Sequence, residues 1–200
     1  MLSYDYLSEL KKLLPEAVLL ELAKTKGASI EKRNLLKSIY PQVPVQFLEL
    51  LKQIGGTYHE EYHGQVVSIP ILGSDLYEYP YYLKSVDQIM EEKEARYNNE
   101  TIRTRYGDWL EQPDFLTVDP RIDMDVPFSN WLNFADCINN GGTSQLYIDF
   151  SPTEQGNSGQ IIRFLHDPDS YLVIAPNFEQ YLKSIMEAEF DFTYFFDEEY

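Results

Sequence analysis

The chain reads as an α+β fold: a mainly antiparallel sheet packed by helices, with a helical extension at the N-terminus. Three observations predict it. The first 54 residues repeat apolar side chains at helical spacing, interrupted by Pro15, Gly27 and Pro44. QLYID (145–149) alternates apolar and polar residues, and QIIRFL (160–165) follows as a partner strand after a glycine-bounded reversal. Asn177-Phe178-Glu179 then opens an amphipathic helix that would close over the pair.

Each element follows from its own residues. Ser3 to Leu14 puts Tyr6, Leu7, Leu10, Leu13 and Leu14 on one stripe, and Pro15 ends it because its ring cannot continue a helix. Ala17 to Lys24 predicts a second short helix, stopped by Gly27. Ser29 caps a third, running to Tyr40. Pro44 opens a fourth with Phe47, Leu48, Leu51 and Ile54 on one face, and Gly55-Gly56 is read as its C-terminal stop. QVVSIPIL (65–72) predicts one strand, with Pro70 marking an edge or bulge. Ser85-Val86-Asp87-Gln88 opens a helix to about Tyr97, whose exposed face mixes Glu91, Glu92, Lys93, Glu94 and Arg96. Residues 106–128, with Pro113, Pro120 and Pro127, predict a long loop carrying one short strand near Phe115 to Val118.

In QLYID, Leu146 and Ile148 share one face, and Gln145, Tyr147 and Asp149 the other. Asn139-Asn140-Gly141-Gly142 before it and Ser151-Pro152 after it are turn punctuation. Trp131, Leu146, Ile148, Ile161, Phe164 and Phe178 are the expected core of strand pair and closing helix. The tail DFTYFFDEEY is expected to fold back through Phe192, Tyr194, Phe195 and Phe196. No linker separates two cores, so one domain is expected over 1–200: a helical extension (1–39), a core (about 40–185) and an acidic aromatic tail (186–200).

Two hundred residues suffice to bury a sizeable core. The 16 Tyr and 11 Phe suit half-buried strands, and tyrosine is also enriched at protein interfaces. Cys137 is the sole cysteine, so no internal disulfide can form, which fits a reducing compartment; its neighbours suggest a small buried hydrophobe. No apolar run approaches the roughly 18 residues of a membrane span, and residues 1–24 lack the apolar stretch of a secretory signal. A cytoplasmic protein without membrane contact is expected.

Charge is unevenly placed. The net value is −17. Residues 1–55 hold 8 Lys/Arg and 6 Asp/Glu (+2), residues 56–105 hold 5 and 9 (−4), and residues 106–200 hold 3 and 18 (−15). An acidic surface aids solubility, but this concentration also attracts a basic protein and speeds its docking. It repels phosphate backbones, which argues against nucleic-acid binding. Six residues are candidates for the partner surface: Asp119, Asp123 and Asp125 in the proline-rich loop, and Asp149, Ser151 and Glu154 after the first strand of the pair.

The chief catalytic rival is His59-Glu60-Glu61-Tyr62-His63, which satisfies H-E-x-x-H. On a helix, His59 and His63 would share a face and hold zinc, with Glu60 as general base. Gly55-Gly56 and Gly64 leave room for about two turns at most, and no apolar stripe flanks the segment, so an exposed polar turn is expected instead. Asp119, Asp123 and Asp125 lack the glycine and terminal glutamate of an EF-hand. Gly156 to Gly159 lacks the Lys-Ser/Thr of a phosphate loop. No metal or other cofactor is expected.

An ordered set of motifs resembles the SUKH superfamily. It comprises Val43-Pro44, Phe47-Leu48, Gly55-Gly56, Trp131, Tyr147-Ile148-Asp149-Phe150, Gly159-Gln160-Ile161-Ile162 and Phe178-x-x-Tyr181-Leu182. The set spans roughly residues 40–185. Gly141-Gly142-Thr143 stands where that family often has Gly-Asp, so no role of that aspartate carries over. The group contains fungal cell-wall-synthesis regulators and bacterial immunity proteins that neutralise polymorphic toxins. The resemblance therefore implies protein binding without catalysis: an immunity protein that blocks a toxin domain such as a nuclease, whose substrate-holding surface must be basic. The alternatives are a regulatory or scaffold protein of the same fold and, more remotely, a zinc hydrolase using HEEYH. The toxin, the interface and the oligomeric state are not legible in the chain.

Overall fold

In the computed structural model, residues 2–95, 99–112, 114–137, 143–166 and 168–196 are described. The turn Asn139 to Gly142, Arg96, Tyr97, Pro113 and the last four tail residues, for which the sequence reading carries expectations, lie outside them.

The N-terminal quarter is helical as the spacing predicts. α1 spans Leu2–Leu13, α2 Glu16–Leu22, α3 Ile30–Ile39 and α4 Val45–Gln53. The Ser29 side chain caps α3 by accepting from the Lys32 backbone N–H. α4 ends at Ile54 in extended conformation, so Gly55 is not a left-handed cap. The glycines here answer a different need, close backbone approach. Ala28 N–H donates to Leu51 O (2.7 Å) and Gly55 N–H to Lys26 O (2.7 Å). A Cβ at Gly27 would lie 1.8 Å from Lys52 O, and one at Gly55 2.7 Å from Lys26 O.

β1 (Glu60–Tyr62) and β2 (Gln65–Val67) form a separate antiparallel hairpin. The main sheet holds β3 (Pro70–Leu72), β4 (Tyr81–Leu83), β5 (Leu116–Val118), β6 (Leu132–Cys137), β7 (Ser144–Asp149), β8 (Gln160–Leu165) and β9 (Asp169–Ala175). Its order is β3-β4-β6-β7-β8-β9-β5, antiparallel throughout except for β5 beside β9. The single strand expected over 65–72 is thus two strands in two sheets. Pro70 has no N–H to continue a ladder, and it begins β3 at the sheet edge. The sequence reading places no strand at β4, β6 or β9. β4 and β6 are buried on both sides or nearly so, which erases the alternation such a reading relies on, whereas β9 does alternate, with Tyr171, Val173 and Ala175 buried.

α5 (Val86–Glu94) starts with a capping box between Ser85 and Gln88 and ends short of Tyr97. Glu92, read as part of a solvated face, lies 3.7 Å from the buried Lys84 ammonium, which Asp136 approaches to 3.4 Å. α6 (Ile102–Tyr106), capped by Thr101, leads into a 3₁₀ turn at Gly107–Glu111. α7 (Phe178–Glu187) begins where expected, with the Asn177 side chain accepting from Gln180 N–H.

The sheet has a core on each face. On one, α1 to α5 and α7 pack through Phe47, Leu50, Leu132, Phe134, Leu146, Ile148, Ile161, Phe178 and Leu182. Two buried tyrosines pin helices to the β3 edge: Tyr6 Oη donates to Ile71 O and Tyr181 Oη to Gly73 O, each 2.7 Å. On the other face, Ile102, Leu116, Ile122, Phe128, Trp131, Ile162, Tyr171 and Val173 form a smaller core, with Tyr147 and Phe164 at its edge. The expected single cluster is therefore two: Trp131 and Phe164 lie across the sheet from Leu146, Ile148, Ile161 and Phe178. Cys137 is buried, and its Sγ accepts from Ser144 N–H at 3.1 Å. In the tail, Phe192 and Phe196 are buried and Phe195 partly so, while Tyr194 stays exposed.

Candidate functional site

Two loops that are far apart in sequence, one carrying Asp119, Asp123 and Asp125 and the other Glu154, meet at one end of the β7–β8 pair. One follows β5 (residues 119–127); the other joins β7 to β8 (residues 150–159). Thr153 stitches them together: its N–H donates to Arg121 O (3.1 Å) and its hydroxyl to Pro120 O (2.9 Å). Gln160 Nε2 donates to the same Arg121 carbonyl at 3.1 Å. Gly156 permits this contact, because a Cβ there would sit 2.7 Å from Arg121 O and 2.6 Å from Pro152 Cβ. Gly156→Ala is expected to cost about 1–3 kcal/mol through overpacking. An unchanged melting temperature would show that the loops are not held this tightly.

The six sequence candidates fare differently in this setting. Asp119 is mostly covered and turns inward to its own neighbour. It accepts from the Arg121 backbone N–H (2.9 Å) and guanidinium (2.9 and 2.5 Å). Arg121 holds the Asp119 carboxyl below its ordinary range. Asp125 lies in the open, accepting from Arg103 Nε at 2.6 Å and Nη2 at 3.2 Å, which likewise lowers it. Asp123 accepts from the Asp125 N–H at 2.9 Å. Among the described residues, neither Asp123 nor Glu154 takes part in an ion pair, and Glu154 is exposed. Ser151 is partly covered.

Asp149 departs from expectation. It is fully buried, not presented by the loop. Its carboxylate accepts from Ser151 N–H (2.8 Å) and Gln160 Nε2 (2.9 Å), closing the turn at the end of β7. Burial pushes its carboxyl up, while those hydrogen bonds pull the other way. Its position makes it a scaffold for the loop that carries Glu154.

HEEYH is not helical. Glu60–Tyr62 is strand β1, and His59 and His63 flank it in left-handed conformation (φ 51° and 55°). A helical metal-binding face cannot form from residues in this arrangement. The expected polar turn is in fact a hairpin, closed through Gly64 and held by Tyr62 Oη donating to Gly56 O at 2.8 Å. Among the described residues, no three His, Cys, Asp or Glu side chains gather closely enough to hold a metal ion.

Residues 106–115, read as loop, hold a feature the sequence reading misses. The 3₁₀ turn after α6 lays Trp109 against Phe115, ring centroids 4.9 Å apart, at the mouth of a cleft that Asp169 and His166 also line. The available signal was Thr101-x-x-Thr104, which caps the start of α6 just ahead of this turn.

A family model described as SMI1 / KNR4 family (SUKH-1) matches residues 13–184. The match starts well before residue 40. It thus takes in most of the helices that the sequence reading sets ahead of the family-like core. No curated protein matches the chain. Among the described residues, no helix is long and apolar enough to cross a membrane.

Proposed function

The chain belongs to the SMI1 / KNR4 family (SUKH-1), and from that premise we propose that it acts by binding a basic protein without catalysis, as an immunity protein that blocks a toxin domain. It would work in the cytoplasm as one domain, with no cofactor. The observation that carries this reading is the meeting of the loop that holds Asp123 and Asp125 with the loop that holds Glu154. Asp123, Asp125 and Glu154 lie on adjoining turns, in the half of the chain with a net charge of −15 (3 Lys/Arg against 18 Asp/Glu). A toxin domain that acts on nucleic acid needs a basic surface, and an acidic rim occupies such a surface by complementarity.

The test starts from the gene beside this protein's own: a toxin with a nuclease-type C-terminal domain is expected there, and that domain is purified for binding measurements. Asp123→Asn with Glu154→Gln should slow association several-fold in low salt and change dissociation little, because rim charges steer encounter. The difference should fade as salt approaches about 1 M, where the Debye length is about 3 Å. Failure of the wild-type protein to bind would refute the immunity reading. Wild-type association by the double variant would refute the role of these loops.

A further inference from the structure

We propose that the cleft lined by Tyr106, Trp109, Asp114, Phe115, His166 and Asp169 receives an arginine side chain of a protein partner. The inference rests on the protein-binding reading above, and it locates a contact away from those two loops.

The cleft has a volume of about 440 Å³. Its walls are unusual for a surface. Trp109 is 51 % and Phe115 53 % exposed, although such side chains are ordinarily covered. They are held in place: the Phe115 carbonyl accepts from Asp169 N–H at 3.1 Å, and Trp109 tilts on Phe115 at 58°. Of the chain's two tryptophans, Trp131 is buried, so Trp109 is the one left facing solvent.

Carboxylates complete the cleft. Asp169 is fixed from two sides, by the Tyr106 hydroxyl (2.5 Å) and His166 Nδ1 (2.5 Å). Burial pushes the Tyr106 phenol up, so it remains a donor to Asp169. Asp114 is exposed at the cleft's edge. No Lys or Arg is among the described lining residues. Flat aromatic faces beside oriented carboxylates match one side chain best. A guanidinium stacks on the rings and forks its N–H donors onto the carboxylate, whereas an ammonium is a strongly hydrated point charge. Tryptophan, tyrosine and arginine are also the residues on which interface energy concentrates.

Two measurements test this. In the first, ¹⁵N-labelled protein is titrated with N-acetyl-arginine methylamide and, separately, with its neutral citrulline counterpart. The largest shifts are expected at the Trp109 indole N–H and at the amides of Tyr106, Trp109, Asp114, Phe115, His166 and Asp169, with arginine only. Equal shifts from citrulline, or maximal shifts elsewhere, would overturn the proposal. In the second, Trp109→Ala, a change at an exposed position, is compared with wild type for binding the neighbouring toxin domain. At least about tenfold weaker binding is expected, with the melting temperature preserved. Unchanged affinity would refute the cleft while leaving the immunity reading intact. If wild type itself does not bind that toxin, the immunity reading fails, and the arginine titration still decides the cleft.

Discussion

Phe178→Ala is expected to destabilise the protein by about 3–5 kcal/mol, the range for emptying a buried phenylalanine site. The side chain is fully buried at the first turn of α7. Its ring meets Phe47 at 5.2 Å, Phe134 at 5.5 Å and Tyr181 at 5.7 Å, so it joins α4, β6 and α7 at one point. Rings on three separate elements cannot all move in to fill the space, because each is held by its own backbone. Chemical denaturation of wild type and variant measures the loss. A change below about 1 kcal/mol would mean that α7 does not close the sheet in this way.

Trp131→Ala should cost a similar amount, about 3–5 kcal/mol, but from the opposite face. Trp131 is 2 % exposed and packs edge-on against Phe128 (5.4 Å) and Tyr147 (5.7 Å), with Tyr171 at 6.1 Å. None of these rings touches Phe178. The milder pair Phe178→Leu and Trp131→Phe should therefore add within about 0.5 kcal/mol in a double-mutant cycle, as independent sites do. A larger coupling would restore the single core that the sequence pattern suggests. The Trp131 loss should also loosen the segment from α6 to Phe128, which rests on this second core and carries the walls of the Trp109 cleft. Faster amide exchange over residues 102–128 in Trp131→Ala would report that link.

Much of the architecture is legible in the chain because it is local. Proline and glycine placement, the Ser29, Ser85 and Asn177 caps, and the 3.6-residue stripes define α1 to α5 and α7 without reference to anything distant. Alternation in β7 identifies its two faces, since Leu146 and Ile148 are buried on one side and Tyr147 half-covered on the other. The ordered motifs carry the SUKH resemblance, and the −15 charge of residues 106–200 (3 Lys/Arg against 18 Asp/Glu) is plain from composition.

The candidate site is less legible, because exposure and juxtaposition are not local properties. By itself, the sequence determined α1 to α5, the β7–β8 hairpin, the closing helix α7 and the acidity of the second half. Only the tertiary structure decided that Asp149 turns inward, that the loops at 119–127 and 150–159 share hydrogen bonds, and that Trp109 meets Phe115 beside Asp169. It also decided that the sheet is covered on both faces. A strand buried on two sides loses its alternation, and an aspartate at a strand end reads the same whether it faces water or a turn's N–H groups. Those outcomes depend on partners outside the local stretch, such as Gln160, 11 residues on, for Asp149 and Arg121, in another loop, for Thr153.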